Sequence, residues 1–322
     1  MDRLDLRGRI LAAVSAAVVL LAAAVGYAVA ARGPAGPGVS GRVTLDPGPR
    51  LLVVTQGHLA TVDLASPDGP RATSDVACVR SYAAAGTGVC LRQDTPWSYS
   101  LHTLDRDLHE ETGIRVPGLA NRARVSPSGH LVAWTTFVGG ESYNRGGFST
   151  RTGILDTRTG DRVTNLEDFS ILRDGRPYHA VDVNFWGVTF AADDNRFYAS
   201  MATDGRRYLV VGDLAARRVS TLAENVECPS LSPDGTRIAF KRAIDDNPVN
   251  GWRLSVLHLA TMAVVPLAET RSIDDQAAWL DDQTIAYTWR DSAGAPSVWA
   301  TPADGSGSPR LLVDDAESPA AL

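Results

Sequence analysis

Chemistry would need acids, histidines, cysteines or a serine held in a recognisable spacing, and this chain offers little of that locally. Its six histidines, His58, His102, His109, His130, His179 and His258, form no H-x-H or H-x-x-x-H pair, and no Cys-x-x-Cys occurs, so no local zinc signature exists. The runs Asp193-Asp194-Asn195 and Asp245-Asp246-Asn247 lack the glycine and terminal glutamate of a calcium loop. No G-x-S-x-G stretch is present to lift a serine onto a strand-to-helix elbow. Ser232-Pro233-Asp234-Gly235-Thr236 approaches the S-x-D-x-G box but places its glycine one residue early, which makes it a turn. Scattered carboxylates such as Asp182 and Asp274 remain, able to act only if the fold gathers them without a paired cation. The expectation is a non-enzyme with no metal and no cofactor.

The elements that would position such residues are legible as a repeat. In Leu231-Ser232-Pro233-Asp234-Gly235-Thr236-Arg237-Ile238-Ala239-Phe240, an apolar residue leads into a turn whose proline presets φ, whose aspartate tolerates the second central position and whose glycine lets the chain leave as a strand. Five weaker copies are found. They are Leu45-Asp46-Pro47-Gly48-Pro49-Arg50-Leu51-Leu52-Val53, Ser81 to Cys90, Val125 to Trp134, Phe190 to Ala199 and Trp279 to Tyr287. Their spacings of 36, 44, 65, 41 and 48 residues give a period in the mid-forties with one large insertion. After each hairpin comes a second pair of short apolar strands, best seen in Arg151 to Asp156 with Arg162 to Leu166. Each unit thus supplies four antiparallel strands, and six units in tandem predict an all-β, six-bladed β-propeller.

Leu231 to Phe240 and Val125 to Trp134 resemble the WD40-like (PD40) repeat of the TolB family, over about residues 41–313. The resemblance implies a six-bladed propeller. TolB carries an α/β domain ahead of its propeller, and here only an apolar segment and a linker stand in that place, so a role in envelope integrity would rest on fold analogy alone.

Residues 1–9 read as a cytoplasmic flank, with Arg3, Arg7 and Arg9 against Asp2 and Asp5. Ile10 to Ala31 holds no charge over 22 residues, enough to cross a hydrocarbon core of about 30 Å. It is expected to be a transmembrane helix or signal anchor, although Ala28-Val29-Ala30 is also a site that a signal peptidase would accept. The arginines before it place the N-terminus in the cytoplasm and the rest outside the cell membrane. Residues 32–40 form a Gly/Pro linker, and residues 314–322 are expected to be a disordered tail. The chain is −6 overall, and residues 1–31 contribute three arginines against two aspartates, so the outer domain is mildly acidic and unsuited to nucleic acid.

Cys78 and Cys90 straddle the turn of the second hairpin almost symmetrically, which in an oxidising compartment predicts a disulfide and leaves Cys228 free. In a four-stranded meander the loops between the second and third strands share a face with the connections between blades. Three long segments fall in those slots: Val138 to Thr150, Phe169 to Asn184 and Ala243 to Trp252. They carry Tyr143, Asn144 and Arg145, then Arg173, Tyr178 and His179, then Asp245, Asp246 and Trp252. Tyrosine, tryptophan and arginine are the residues most often energetic at interfaces. Trp134, Trp279, Trp289 and Trp299 are expected to fill the wedges between blades. The function expected is a membrane-tethered, extracytoplasmic module that binds a protein, a peptide or a cell-envelope polymer through that rim. The alternative is an extracytoplasmic lactonase or glycan-cleaving enzyme using acids of the central channel.

Overall fold

Pro233 and Asp234 turn the chain as the sequence implies. The Gly235 amide donates to the Ser232 carbonyl at 2.9 Å and Gly235 leaves with φ 70°. The Asp234 carboxylate caps the turn, accepting from the Ser232 hydroxyl at 2.5 Å, the Thr236 amide at 2.9 Å and the Arg237 guanidinium at 2.8 Å. Burial pushes the Asp234 acid up, but these donors outweigh it and hold the acid well below the usual carboxylate range. Neighbouring turns are tied to one another: the Asp234 amide donates to Asp282 at 3.0 Å, and Ser128 donates to Asp194 at 2.6 Å.

The computed structural model describes residues 42–96, 98–139 and 149–322. Its strands form six separate sheets, all but one four-stranded, arranged as the blades of a propeller. The second blade is Arg80–Ala84, Thr87–Thr95, Ser98–Leu104 and Glu110–Val116 from axis to rim. The third is Leu119–Val125, Leu131–Val138, Ser149–Asp156 and Arg162–Val163. The fifth is Glu227–Leu231, Arg237–Ala243, Trp252–His258 and Val264–Pro266, and the sixth Ala278–Trp279, Thr284–Arg290, Pro296–Pro302 and Arg310–Asp314.

Two blades differ from the sequence expectation. In the first, Arg50–Thr55, His58–Asp63 and Ala72–Ala77 are joined by Glu317–Ala321 as the innermost strand. The stretch assigned to a disordered tail therefore closes the ring, with Leu51 opposite Ala321, Leu52 opposite Ala320 and Val54 opposite Glu317. The Leu45 to Val53 copy is not a hairpin either. Residues 42–45 run past the second blade, where the Leu45 amide donates to the Arg106 carbonyl at 2.8 Å, and Val43 and Leu45 are buried. In the fourth blade, Asn184–Phe190, Arg196–Thr203, Arg206–Asp213 and Arg218–Glu224 are extended outward by a hairpin, Ser170–Arg173 with Arg176–Tyr178. This hairpin lies within Phe169 to Asn184, which was expected to be a rim loop. Ser170–Arg173 pairs parallel to Arg218–Glu224, and its Ile171 and the preceding Phe169 are buried in the seam with blade three. An Asp174-Gly175 turn at φ 52° and 74° has the twist a two-residue hairpin needs.

Each blade is buried on both faces, which explains strands that are apolar without alternation, such as Leu51-Leu52-Val53-Val54. Successive side chains point to opposite neighbours. Leu52 and Val54 pack with Leu59, Ala83 and Leu104 toward the second blade, while Leu51 and Val53 pack with Ala286, Val298 and Leu312 toward the sixth. Six such clusters fill the six seams. Large rings from second strands lie across glycines of third strands: Trp134 is opposite Gly153 and Phe197 opposite Gly212. A Cβ at Gly212 would sit 2.0 Å from the Phe197 ring. Gly212→Ala is expected to cost about 1–3 kcal/mol by overpacking, read from chemical denaturation of the two proteins, and equal midpoints would refute this packing.

Cys78 and Cys90 form the expected disulfide, with Cα atoms 5.5 Å apart, and Cys228 is free and buried. The strand partner of Cys90 is Ser81, however, and Cys78 precedes the strand, in the link from the first blade to the second. The bond thus staples the inter-blade link to the second blade. With a sequence separation of 12 between the cysteines, Cys78→Ala/Cys90→Ala is expected to lose about 3 kcal/mol. That is a fall of roughly 5–10 °C in melting temperature, and the same shift should follow from reductant alone in the unmutated protein.

Candidate binding face and central channel

The innermost strands all start at one face of the disc, so the loops between second and third strands and the inter-blade links gather there. The tip of the Ser170–Tyr178 hairpin reaches the same face because Ser170–Arg173 runs parallel to the fourth strand. Val138 and Ser149, paired at the end of the third blade's hairpin, stand at it, and Tyr143, Asn144 and Arg145 lie outside the described residues.

Three groups of a cation against aromatic rings stand on this face, one on each of blades four, five and six. On the fourth, the Arg173 guanidinium lies 5.0 Å from the Tyr178 ring and 5.3 Å from that of Tyr208. The Tyr178 hydroxyl bonds Thr203 at 2.8 Å, and His179 is exposed. On the fifth, the Trp252 ring is covered by Lys241 at 3.9 Å and faced by Arg207 at 5.9 Å. Trp252 is fixed by its amide, which donates to the Ser272 hydroxyl at 3.0 Å. Asp245 and Asp246 occupy an exposed 3₁₀ turn, Ile244–Asp246, where Asp246 accepts from the Asn225 amide. On the sixth, Arg271 lies 4.5 Å from the Trp289 ring and 3.8 Å from that of Trp299. It is held by the buried carboxylate of Glu269 at 2.6 Å, which also accepts from the Tyr287 hydroxyl at 2.6 Å.

Trp289 and Trp299, expected to fill a wedge between blades, do pack against the core between the fifth and sixth, but both are only half-buried and also flank a cation. Among the expected residues, Arg173 and Tyr178 are brought into contact, and Trp252 is placed on the neighbouring blade. Arg207, Lys241 and Arg271 were missed. Lys241, as the chain's single lysine, was the one available signal.

The channel is neither a cluster of free acids nor a small apolar bore. Arg80 lies 3.6 Å from Asp275 and 3.3 Å from Glu317, and Arg122 lies 3.8 Å from Asp274 and 3.9 Å from Asp275. Burial pushes the Asp275 acid up, and Arg80 and Arg122 bring it below its usual value. Glu227, 3% exposed, is 2.6 Å from Arg207 and 3.6 Å from Lys241. Burial nevertheless keeps the Glu227 acid above its usual value. Asp274 takes a direct ion pair from Lys241. Asp182 sits before the innermost strand of the fourth blade and caps a loop, accepting from the Thr203 hydroxyl at 2.7 Å and the Asp204 amide at 2.6 Å. Among the described residues no group of three or more metal-ligating side chains converges.

These features define a six-bladed β-propeller closed by its C-terminal strand, with a charge-filled axis and one face rich in cation–aromatic contacts. No family model matches the sequence, and no curated protein does. Among solved structures the fold is similar to TolB from Acinetobacter baumannii, with a TM-score of 0.63 at 17% identity over 85% of this chain and 67% of that one. A chain of the nidogen/laminin complex gives a TM-score of 0.57 at 12% identity, over 85% of this chain and 99% of that one. The tricorn protease gives 0.51 at 10% identity, over 83% of this chain and 29% of that one. At these identities the likeness is one of fold, and the TolB-like propeller expected from the repeats is what is found. No helix among the described residues is long and apolar enough to cross a membrane, and Ile10 to Ala31 lies outside them.

Proposed function

We propose that this chain is a non-catalytic binding module, tethered to the cell membrane through residues 10–31, whose propeller stands outside the cell and captures a protein, a peptide or an envelope polymer. What carries the reading is the placement of cation–aromatic groups on consecutive blades of a single face: Arg173 with Tyr178, Lys241 with Trp252, and Arg271 with Trp289 and Trp299. Such side chains present rigid apolar area beside a charge, the composition that dominates binding energy at interfaces. The disulfide suits an oxidising compartment, and the acidic balance disfavours nucleic acid. The nidogen neighbour comes from a complex with laminin, which fits a propeller used to hold another protein. A catalytic reading needs acids free to move protons, whereas Asp182 and Asp274 are engaged as a loop cap and an ion pair.

The test is capture from the host's envelope fraction by the full chain, comparing the unmutated protein with Arg173→Glu/Trp252→Ala and with the Tyr143–Arg145 loop deleted. Expected is a drop of at least about tenfold in captured material with melting temperature within a few degrees of the parent. Undiminished capture by both variants would sink the proposal.

A further inference from the structure

The centre of the channel, between the innermost strands of the first three blades and the link into the sixth, holds a small cavity of about 20 Å³ that opens to the channel. Arg80, Ser81, Arg122, Arg124, Asp275 and Ser318 are among the residues that line it. Two of these three guanidiniums meet at one carboxylate, and the third, Arg124, lies beside them without one. Asp275 is shared between Arg80 and Arg122, and Glu317 is shared between Arg80 and Arg290. Arg124 is 4% exposed. One of its terminal nitrogens donates to the Ala277 carbonyl at 3.0 Å, and its guanidinium lies 4.2 Å from the Tyr82 ring. Among the described residues it has no carboxylate partner. A buried cation without a counter-charge is costly, so the local excess of positive charge calls for an anion.

The unpaired atoms say where. Buried side-chain atoms with no hydrogen-bond partner include the Ser81 hydroxyl, the Ser318 hydroxyl, Arg122 Nε and Arg124 Nε, all four from residues that line this cavity. The two guanidinium nitrogens can only donate, whereas the hydroxyls can donate or accept. A water could therefore satisfy the four atoms, but it would leave the Arg124 charge uncompensated. A monatomic anion accepts from all four and also supplies the missing counter-charge. Roughly 10–15 Å³ suffices for one water-sized occupant, so the cavity has room for a single halide and is tight for a tetrahedral oxyanion.

We propose that the axis of the propeller holds one buried halide, chloride in the cell, between Arg122 and Arg124 and the hydroxyls of Ser81 and Ser318, where it ties together the blades on either side of the ring closure. An occupant that binds only the folded chain raises its stability in proportion to the logarithm of its concentration. The full chain is melted at fixed ionic strength while gluconate is exchanged for chloride, bromide or sulfate, and crystals grown in bromide are measured at the bromine absorption edge. Melting temperature is expected to climb with chloride and bromide but not with sulfate, and an anomalous peak is expected inside the cavity. Ser81→Ala, on a regular strand, should raise the half-saturating halide concentration about threefold to tenfold. Arg124→Gln should abolish the dependence, and if that variant does not fold, Ser81→Ala decides alone. A cavity that holds water in the bromide crystals, or a halide effect of equal midpoint in Ser81→Ala, overturns the assignment.

Discussion

Deleting Glu317 to Leu322 should convert a cooperative melt into a broad one, with a loss of about 5 kcal/mol or more. Those six residues contribute the innermost strand of the first blade, and the Leu322 amide donates to the Arg50 carbonyl at 3.0 Å while its carbonyl accepts from Gly48 at 3.0 Å. Ala320, fully buried, packs against Leu52 and Val54. Removing the strand leaves Arg50–Thr55 as an unpaired apolar edge at the axis. At about 1 kcal/mol for each lost backbone bond and about 25 cal/mol for each Å² of apolar surface exposed, the cost exceeds that of an ordinary core substitution. Exposed edges also invite association. Circular dichroism during heating, with limited proteolysis of residues 50–77, measures both effects. A truncated chain that melts sharply within a few degrees of the parent would show that the ring does not depend on this strand.

Lys241→Met is expected to be the most damaging single substitution at the channel mouth, costing about 3–5 kcal/mol and roughly 10 °C in melting temperature. Lys241 is 5% exposed and stands between Glu227, Asp274 and the Trp252 ring. Asp274 can turn to water once the amine is gone. Glu227, at 3% exposure, cannot, and keeps only Arg207. The acid of Glu227 already sits above its usual value because of burial. Between its unfolded value, about 4.3, and that raised value, the folded chain holds a proton that the unfolded chain has released. Stability from this group is therefore greatest below the unfolded value and falls as pH rises through the window. Removing Lys241 raises the folded value further, so the deficit of Lys241→Met should be large at pH 7 and should narrow on acidification. Adding Glu227→Leu should recover much of the loss at pH 7. A deficit that is independent of pH would show that Lys241 acts through packing on Trp252 alone.

The hairpins were readable because their information is local. A proline, an aspartate and a glycine within four residues fix a turn whatever the rest of the chain does, and Ser232 to Gly235 behaves accordingly. The second hairpin of the fourth blade was equally local, since Asp174-Gly175 between Ile171 and Tyr178 carries hairpin chemistry. A four-strand repeat has no place for a fifth and a sixth strand, so the repeat alone makes this segment a loop. The face bearing Arg173 and Trp252 followed from strand direction alone. The pairing of Arg271 with two tryptophans and of Lys241 with Glu227 did not, since each joins residues from different strands or blades.

The amino-acid order by itself determined the number of blades, the turn that starts each of the second to sixth and which two cysteines join, because those depend on contacts between residues close in sequence. Only the tertiary structure decided how the circle is closed and what fills its axis. Glu317–Ala321 has no pattern of its own that names Arg50–Thr55 as partner; it is selected because the sixth blade ends beside the first and leaves an inner edge unpaired. Arg80, Arg122, Arg124 and Asp275 are spread over nearly 200 residues and become one electrostatic unit only when radial packing brings the innermost strands to a common centre.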